Sequence, residues 1–137
     1  ETTAPEGPPV GATEVGVRDL EVGQCFDTID DPVASDRAVW LLDCSLPHTF
    51  EVFDSVEFEE GGGTPYPGIA AVQEAAETAC HDRFEAFVGT RWTLSELDIQ
   101  VWWPSAESWA LSDRTVLCTV LEDSGHEVTG SLRGAQR

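Results

Sequence analysis

Four cysteines, Cys25, Cys44, Cys80 and Cys118, constrain this chain more than any other feature. Four cysteines admit three pairings. No two of them form a CxxC-like knuckle, so their spacing is not that of zinc ligands. The elements that carry them narrow the choice. "GIAAVQEAAETACHDRFEAFVG" is the one strong helical segment, with Pro67 just ahead of it and Gly89 closing it. Ile69, Val72, Ala76, Cys80, Phe84 and Phe87 advance by three or four positions and form one apolar stripe. Glu74, Glu77 and Asp82 lie off that stripe, so Cys80 points into the core. "TVLCTVLE" reads as a strand whose Val116, Cys118 and Val120 share a face. A helix cysteine and a strand cysteine facing the same core can be bridged if their Cα atoms approach to about 5.5–6 Å. Cys25 and Cys44 then pair locally, tying the "VGQCF" turn to the end of "VWLLDC". Each bridge stabilises by about 2–4 kcal/mol, mainly by restricting the unfolded chain. Two disulfides imply an oxidising compartment. The alternative is four reduced thiols in a cytosolic protein.

The rest of the chain reads as strands on either side of the helix. "ETTAPEGPPVGAT" has little to bury and reads as a flexible stalk over residues 1–14. A single domain is expected over 15–134, with 135–137 frayed. "VGVRDLEVGQCF" holds a short strand and a turn at Gly23, and "VWLLDC" is a buried strand. In "HTFEVFDSVEF", alternation places Phe50, Val52, Val56 and Phe58 on one face and Glu51, Ser55 and Glu57 on the other. "EEGGGTPYPG" is a loop. "LDIQVWWP" is a strand with Leu97, Ile99, Val101 and Trp103 inward and Trp102 outward. "SAESWALSDR" is a loop or a single helical turn. "DSG" turns the last strand into "HEVTGSL" as a hairpin partner. The fold class is α+β: a mainly antiparallel sheet packed against one central helix.

Composition excludes several functions. The 137 residues carry 26 acids against 7 bases, a net charge of -19. Scattered arginines on such a chain make no basic stripe, so nucleic acid is not a partner. Anionic membrane surfaces repel it as well. The acidity serves solubility, or attracts a cationic partner or divalent cations. Every base is Arg, which points to a source that favours Arg codons. Met is absent, so residue 1 is not a translational start. A leader or anchor ahead of it is expected, and the membrane is reached only through that anchor. No segment reaches the length of a membrane span.

Candidate chemistry centres on "CSLPHTFEVF". His48 and Glu51 could ligate zinc, but a third ligand such as Asp43 or His126 would have to converge on them. The plainer reading is that Pro47-His48 shapes a turn and the imidazole bonds a carbonyl or carboxylate. Paired cysteines leave no thiolate nucleophile. Glu77 and His81 are spaced as an ordinary helix-face pair. Asp27, Asp30 and Asp31 offer oxygen ligands but lack the EF-hand alternation, so a solvated acidic loop is expected. Among Trp40, Trp92, Trp102, Trp103 and Trp109, the outward Trp102 is the candidate sugar-stacking surface. No nucleotide-binding or nucleophile-elbow motif is present. No catalytic residue, cofactor or metal is assigned.

Arg114 shares its parity with Val116, Cys118 and Val120 and so points towards the core. Asp113 points the other way and does not pair with it. A guanidinium placed there needs acceptors, such as Glu51 or Asp54. Arg114 is therefore expected to be largely buried and structural. Its replacement by Ala would cost roughly 3–5 kcal/mol if it holds a buried carboxylate.

"DLEVGQCFD", "CSLPHTFEVF", "YPG", "CHDRFEAFVG", "PSAESWALSDRTVLCTV" and "TGSLRG" follow one another here. In order and spacing this series resembles the septum-formation domain of actinobacterial envelope proteins. The resemblance runs from about Val17 to Gly134. It includes all four cysteines and Pro47, His48, Glu51, Trp109, Asp113 and Arg114. It implies an extracytoplasmic domain in the envelope of a Gram-positive, high-GC bacterium, held by a membrane helix or lipid anchor. It supplies no catalytic residue. Three functions compete: a non-enzymatic module binding an envelope protein or cell-wall component during growth or septation, a wall-acting hydrolase or metal-dependent enzyme centred on His48 and Glu51, and a structural spacer. Clustering of Asp or His around His48 in a cleft favours the second. An exposed apolar patch favours the first.

Overall fold

The computed structural model describes residues 9–29, 38–59 and 63–137. Residues 1–8 of the expected stalk and the calcium candidates Asp30 and Asp31 lie outside the described residues. Six strands, β1 (Thr13–Gly16), β2 (Cys25–Thr28), β3 (Ala38–Leu42), β4 (Phe50–Glu57), β5 (Leu97–Trp102) and β6 (Thr115–Glu122), form one sheet. Its order is β1-β3-β2-β4-β6-β5, and every neighbouring pair is antiparallel. Helix α1 (Ile69–Val88) packs on one face, and the short α2 (Ala106–Ala110) precedes β6. The α+β class read from the sequence is the class observed. Strand β1 starts at Thr13, inside the stretch read as stalk.

The stripe of α1 is buried from Val72 onward, and Ala76, Cys80, Phe84 and Phe87 share one core with the sheet. Ile69 is exposed instead. Helical side chains lean towards the N-terminus, so a first-turn residue projects beyond the helix rather than onto a preceding turn. Gly89 ends the helix in the left-handed conformation, φ 90°, and its N–H bonds Glu85 O at 2.8 Å. Each fully buried Val or Phe on this face contributes about 1.5–3 kcal/mol.

The simple alternation expected along β4 does not hold. A bulge places Phe53 between Val52, which pairs with Thr119, and Asp54, which pairs with Cys118. The extra residue flips the faces. Phe50 and Val52 face away from α1, whereas Phe53, Val56 and Phe58 pack on the helix side. Glu51, opposite Val120, is thereby turned towards the core.

The second face has its own core of Val17, Leu20, Phe26, Val39, Val52 and Leu117. Trp102 belongs to it and is half-buried, not an outward platform. Its ring meets Phe26 at 5.6 Å and Phe50 at 5.8 Å, both edge-on. The segment holding Val17 and Leu20 covers a face that one helix alone would have left wet.

"HEVTGSL" is not a hairpin partner of β6. That strand already has β4 on one side and β5 on the other. After a turn at Gly125, φ 80°, the chain crosses to His48 and makes a single antiparallel bridge through Val128. The C-terminus is tied down, not frayed. Gln136 N–H bonds Val88 O at 2.8 Å, and the Arg137 guanidinium reaches Glu122 at 2.8 Å and Glu96 at 3.3 Å.

Candidate functional site

Both disulfides take the expected pairing. Cys25–Cys44 and Cys80–Cys118 have Cα separations of 5.1 and 5.3 Å. The first anchors the corner that runs from Cys44 to Glu51. Asp43 opens it: its Oδ1 accepts the Ser45 N–H at 2.9 Å and the Ser45 hydroxyl at 2.8 Å. These bonds, backbone first, hold its carboxyl below the usual carboxylate range.

His48 is fully buried. Its Nδ1–H donates to Leu46 O at 2.7 Å, and Nε2 is buried with no hydrogen-bond partner among the described residues. Its backbone exchanges two bonds with Val128, of 3.0 and 2.8 Å. Gly130 N–H reaches Cys44 O at 2.6 Å. Glu51 is only 2% exposed, and both of its oxygens are used. Oε2 accepts the Ser131 hydroxyl at 2.6 Å, and Oε1 accepts the Leu132 N–H at 2.8 Å. The corner is thus bolted to a C-terminal strap, Val128 to Leu132. No hydrogen bond joins His48 to Glu51 among the described residues. Asp43 is engaged by Ser45, and the exposed His126 sits with Ser124 and Glu122, so neither of these two expected third ligands joins His48 and Glu51.

The other group of sequence candidates meets at the start of β6. Ser105 and Ser108 form a capping box that fixes α2. Trp109 on α2 is 3% exposed, and its Nε1–H donates to Thr64 O at 2.6 Å. Phe58 and Tyr66 flank it edge-on at 5.8 and 5.7 Å. The Arg114 guanidinium lies 3.7 Å from the Trp109 ring centre. Its Nη1 donates to the carbonyls of Trp109 at 2.8 Å and Asp113 at 3.0 Å.

Arg114 is half-buried and bonds the local carbonyls of Trp109 and Asp113, away from the expected Glu51 and Asp54. Glu51 sits opposite Val120, six residues further along β6, or roughly 20 Å away at strand spacing. Asp54 is taken by Arg83 at 3.1 Å. Asp113 is buried. Its Oδ1 accepts the Thr115 N–H at 3.1 Å, and its Oδ2 lies 3.7 Å from Arg18 Nε. The helix pair Glu77–His81 is also replaced. Gln73 bonds Glu77 at 3.2 Å, and the His81 ring lies 4.5 Å from the Trp92 ring.

Sequence reasoning missed Ser112, Arg18 and the strap. Ser112 has φ 77°, a left-handed conformation that costs a non-glycine residue energy. It stands between two clefts of about 450 and about 270 Å³, the first lined by Arg18 and Asp113, the second by Tyr66, Trp109 and Arg114. Leu111 beside it is 74% exposed. The glycines of "TGSLRG", with φ 85° at Gly130 and 67° at Gly134, are the available signal for the strap.

Fold and sites together define a disulfide-stapled α+β domain with a bolted polar corner and an exposed tip. The chain belongs to the septum formation family, whose model matches residues 22–137. It is 25% identical over 95 residues to the uncharacterized membrane protein Rv3835 of Mycobacterium tuberculosis strain H37Rv. It is equally similar to the uncharacterized membrane protein MT3943 of the CDC 1551 strain. The match covers 64% of this chain and 21% of each relative, so the chain spans about a fifth of the length of the curated relatives it matches. No solved structure matches. Among the described residues no helix is long and apolar enough to cross a membrane.

Proposed function

We propose that this domain is a non-enzymatic, extracytoplasmic module that binds an envelope protein or cell-wall component during envelope growth or septation. Family membership and a membrane-protein relative support the setting. The two disulfides fit an oxidising compartment. The carrying observation is the tip at Leu111 and Ser112. An exposed leucine and a strained backbone sit beside buried Trp109 and Asp113, between two clefts. Strain of this kind persists where its surroundings over-determine it, and it clusters at functional sites. The burial of His48 and Glu51 weighs against an enzyme centred on them, because a substrate must reach a catalytic group.

A photo-crosslinking residue at position 111 in the full-length protein, in dividing cells, tests this reading. The expected result is a specific envelope adduct that the same probe at exposed Ile69 does not give. Equal or absent labelling from the two positions would sink it in favour of a spacer domain.

A further inference from the structure

The two disulfides do not stand in equivalent surroundings. Cys80 and Cys118 are both fully buried in the helix-side core. Cys25 is fully buried too, but Cys44 is half-buried on the wall of a cleft of about 530 Å³ that Gly11, Gly23, Gln24 and Asp43 also line. A reductant can therefore reach Cys44, whereas the other bridge opens only when the core does. Behind the pair stands a third donor. Cys25 and Glu51 are direct cross-strand partners on β2 and β4. One donor atom from each of Cys25, Cys44 and Glu51 lies within 4.8 Å of the others.

We propose that the Cys25–Cys44 disulfide is the closed form of a thiophilic metal site, which on reduction binds Zn2+ through both sulfurs and the Glu51 carboxylate. Opening takes two electrons. A dithiol reductant supplies them to the S–S bond and leaves as its own disulfide, and Cys25 and Cys44 become thiols. A divalent cation then displaces both thiol protons to solvent. Tetrahedral zinc needs S and O donors roughly 3.5–4 Å apart, a separation that the three groups reach with side-chain adjustment. Thiolates select zinc over hard cations. Glu51 already has the outer hydrogen bonds that ligating carboxylates require, from the Ser131 hydroxyl and the Leu132 N–H. Three protein ligands leave a fourth position towards the cleft, the pattern of an open zinc site. The exposed Asp43 carboxylate on the cleft wall adds a field that draws cations in. The inference stands independently of the binding tip at Leu111.

The test uses the 137-residue protein, reduced anaerobically with a phosphine, alkylated in part and mapped. The expected result is labelling of Cys25 and Cys44 with Cys80–Cys118 intact. Co2+ is then added to the unalkylated reduced protein as the spectroscopic probe. A single equivalent should give a thiolate-to-cobalt charge-transfer band that Zn2+ bleaches and that oxidised protein lacks. Ser131→Ala should weaken Co2+ binding about tenfold. Glu51→Gln should weaken it more. Simultaneous opening of both disulfides, a missing charge-transfer band, or affinity unchanged in Ser131→Ala would each overturn the proposal. The last readout keeps it falsifiable should Glu51→Gln fail to fold.

Discussion

The Cys80–Cys118 bridge and the Cys25–Cys44 corner solve the same problem in different solvents. The first sits in the apolar core between α1 and β6. The second joins a buried strand to a polar corner whose other fastenings are hydrogen bonds to chain some eighty residues further on. A covalent link in a dry core restricts the unfolded chain and fills volume. A link beside Glu51 shares its task with a charged network, so its removal and the network's removal should overlap.

The largest effect is expected from opening the core bridge. Its 38-residue separation gives a chain-entropy contribution of about 4 kcal/mol, against about 3 kcal/mol for the 19-residue separation of the corner. Urea denaturation of the Cys80→Ala/Cys118→Ala and Cys25→Ala/Cys44→Ala double variants checks the order. A costlier corner would break the comparison and show that the polar network depends on its disulfide. Next comes Glu51→Ala, which leaves the Ser131 hydroxyl and Leu132 N–H without their acceptor and should cost about 3 kcal/mol. Combined with opening of the corner bridge it should cost less than the sum of the two, by the coupling of residues in one network. Strict additivity in the same denaturation series would refute the shared task.

The contrast also explains what was legible in the sequence. Cys80 and Cys118 could be paired on paper because each lies on a strong periodic face, and packing of a helix on a strand follows from those faces. The fold class followed from the same signals. Glu51 was misplaced by one face because a bulge at Phe53 carries no marker in alternation. Trp102 was placed outside because the sequence shows which side a residue takes, not whether that side is covered. The strap was read as a hairpin because local turn chemistry at "DSG" is strong, whereas the saturation of β6 by two neighbours is a property of the whole sheet. The candidate site was half legible. Trp109, Asp113 and Arg114 do converge, but on backbone carbonyls and an aromatic face that spacing does not encode.

Arg114 sharpens the comparison from the far end of β6. With two backbone carbonyls and the Trp109 ring among its partners, it should cost about 2 kcal/mol on replacement by Ala, less than Glu51. Lys should recover little of it, since an ammonium cannot stack its plane on the indole. Thermal denaturation of the two variants measures this. A loss above that of Glu51→Ala would mean that Arg114 also neutralises a buried acid.

The smallest effect belongs to Glu122, where the strap leaves β6. Its carboxyl is lowered from 4.5 to about 2, first by the Ser124 hydroxyl and then by Arg137. A carboxylate with a depressed folded pKa contributes stability that is fully present above the unfolded value and fades as pH falls through the folded one. For Glu122 that window runs from about 4.5 down to about 2. The group lies half-buried at the protein surface, so water and salt still screen much of the gain. Glu122→Gln should therefore leave the melting temperature near neutral pH almost unchanged and flatten its decline below pH 4.5. The flattening should shrink in high salt. Asp43, lowered mainly by the Ser45 N–H, should behave alike at the corner. If Glu122→Gln instead melts many degrees lower at neutral pH, the Arg137 clasp holds the C-terminus by more than screened charge. The strap would then rival the corner disulfide as a fastening.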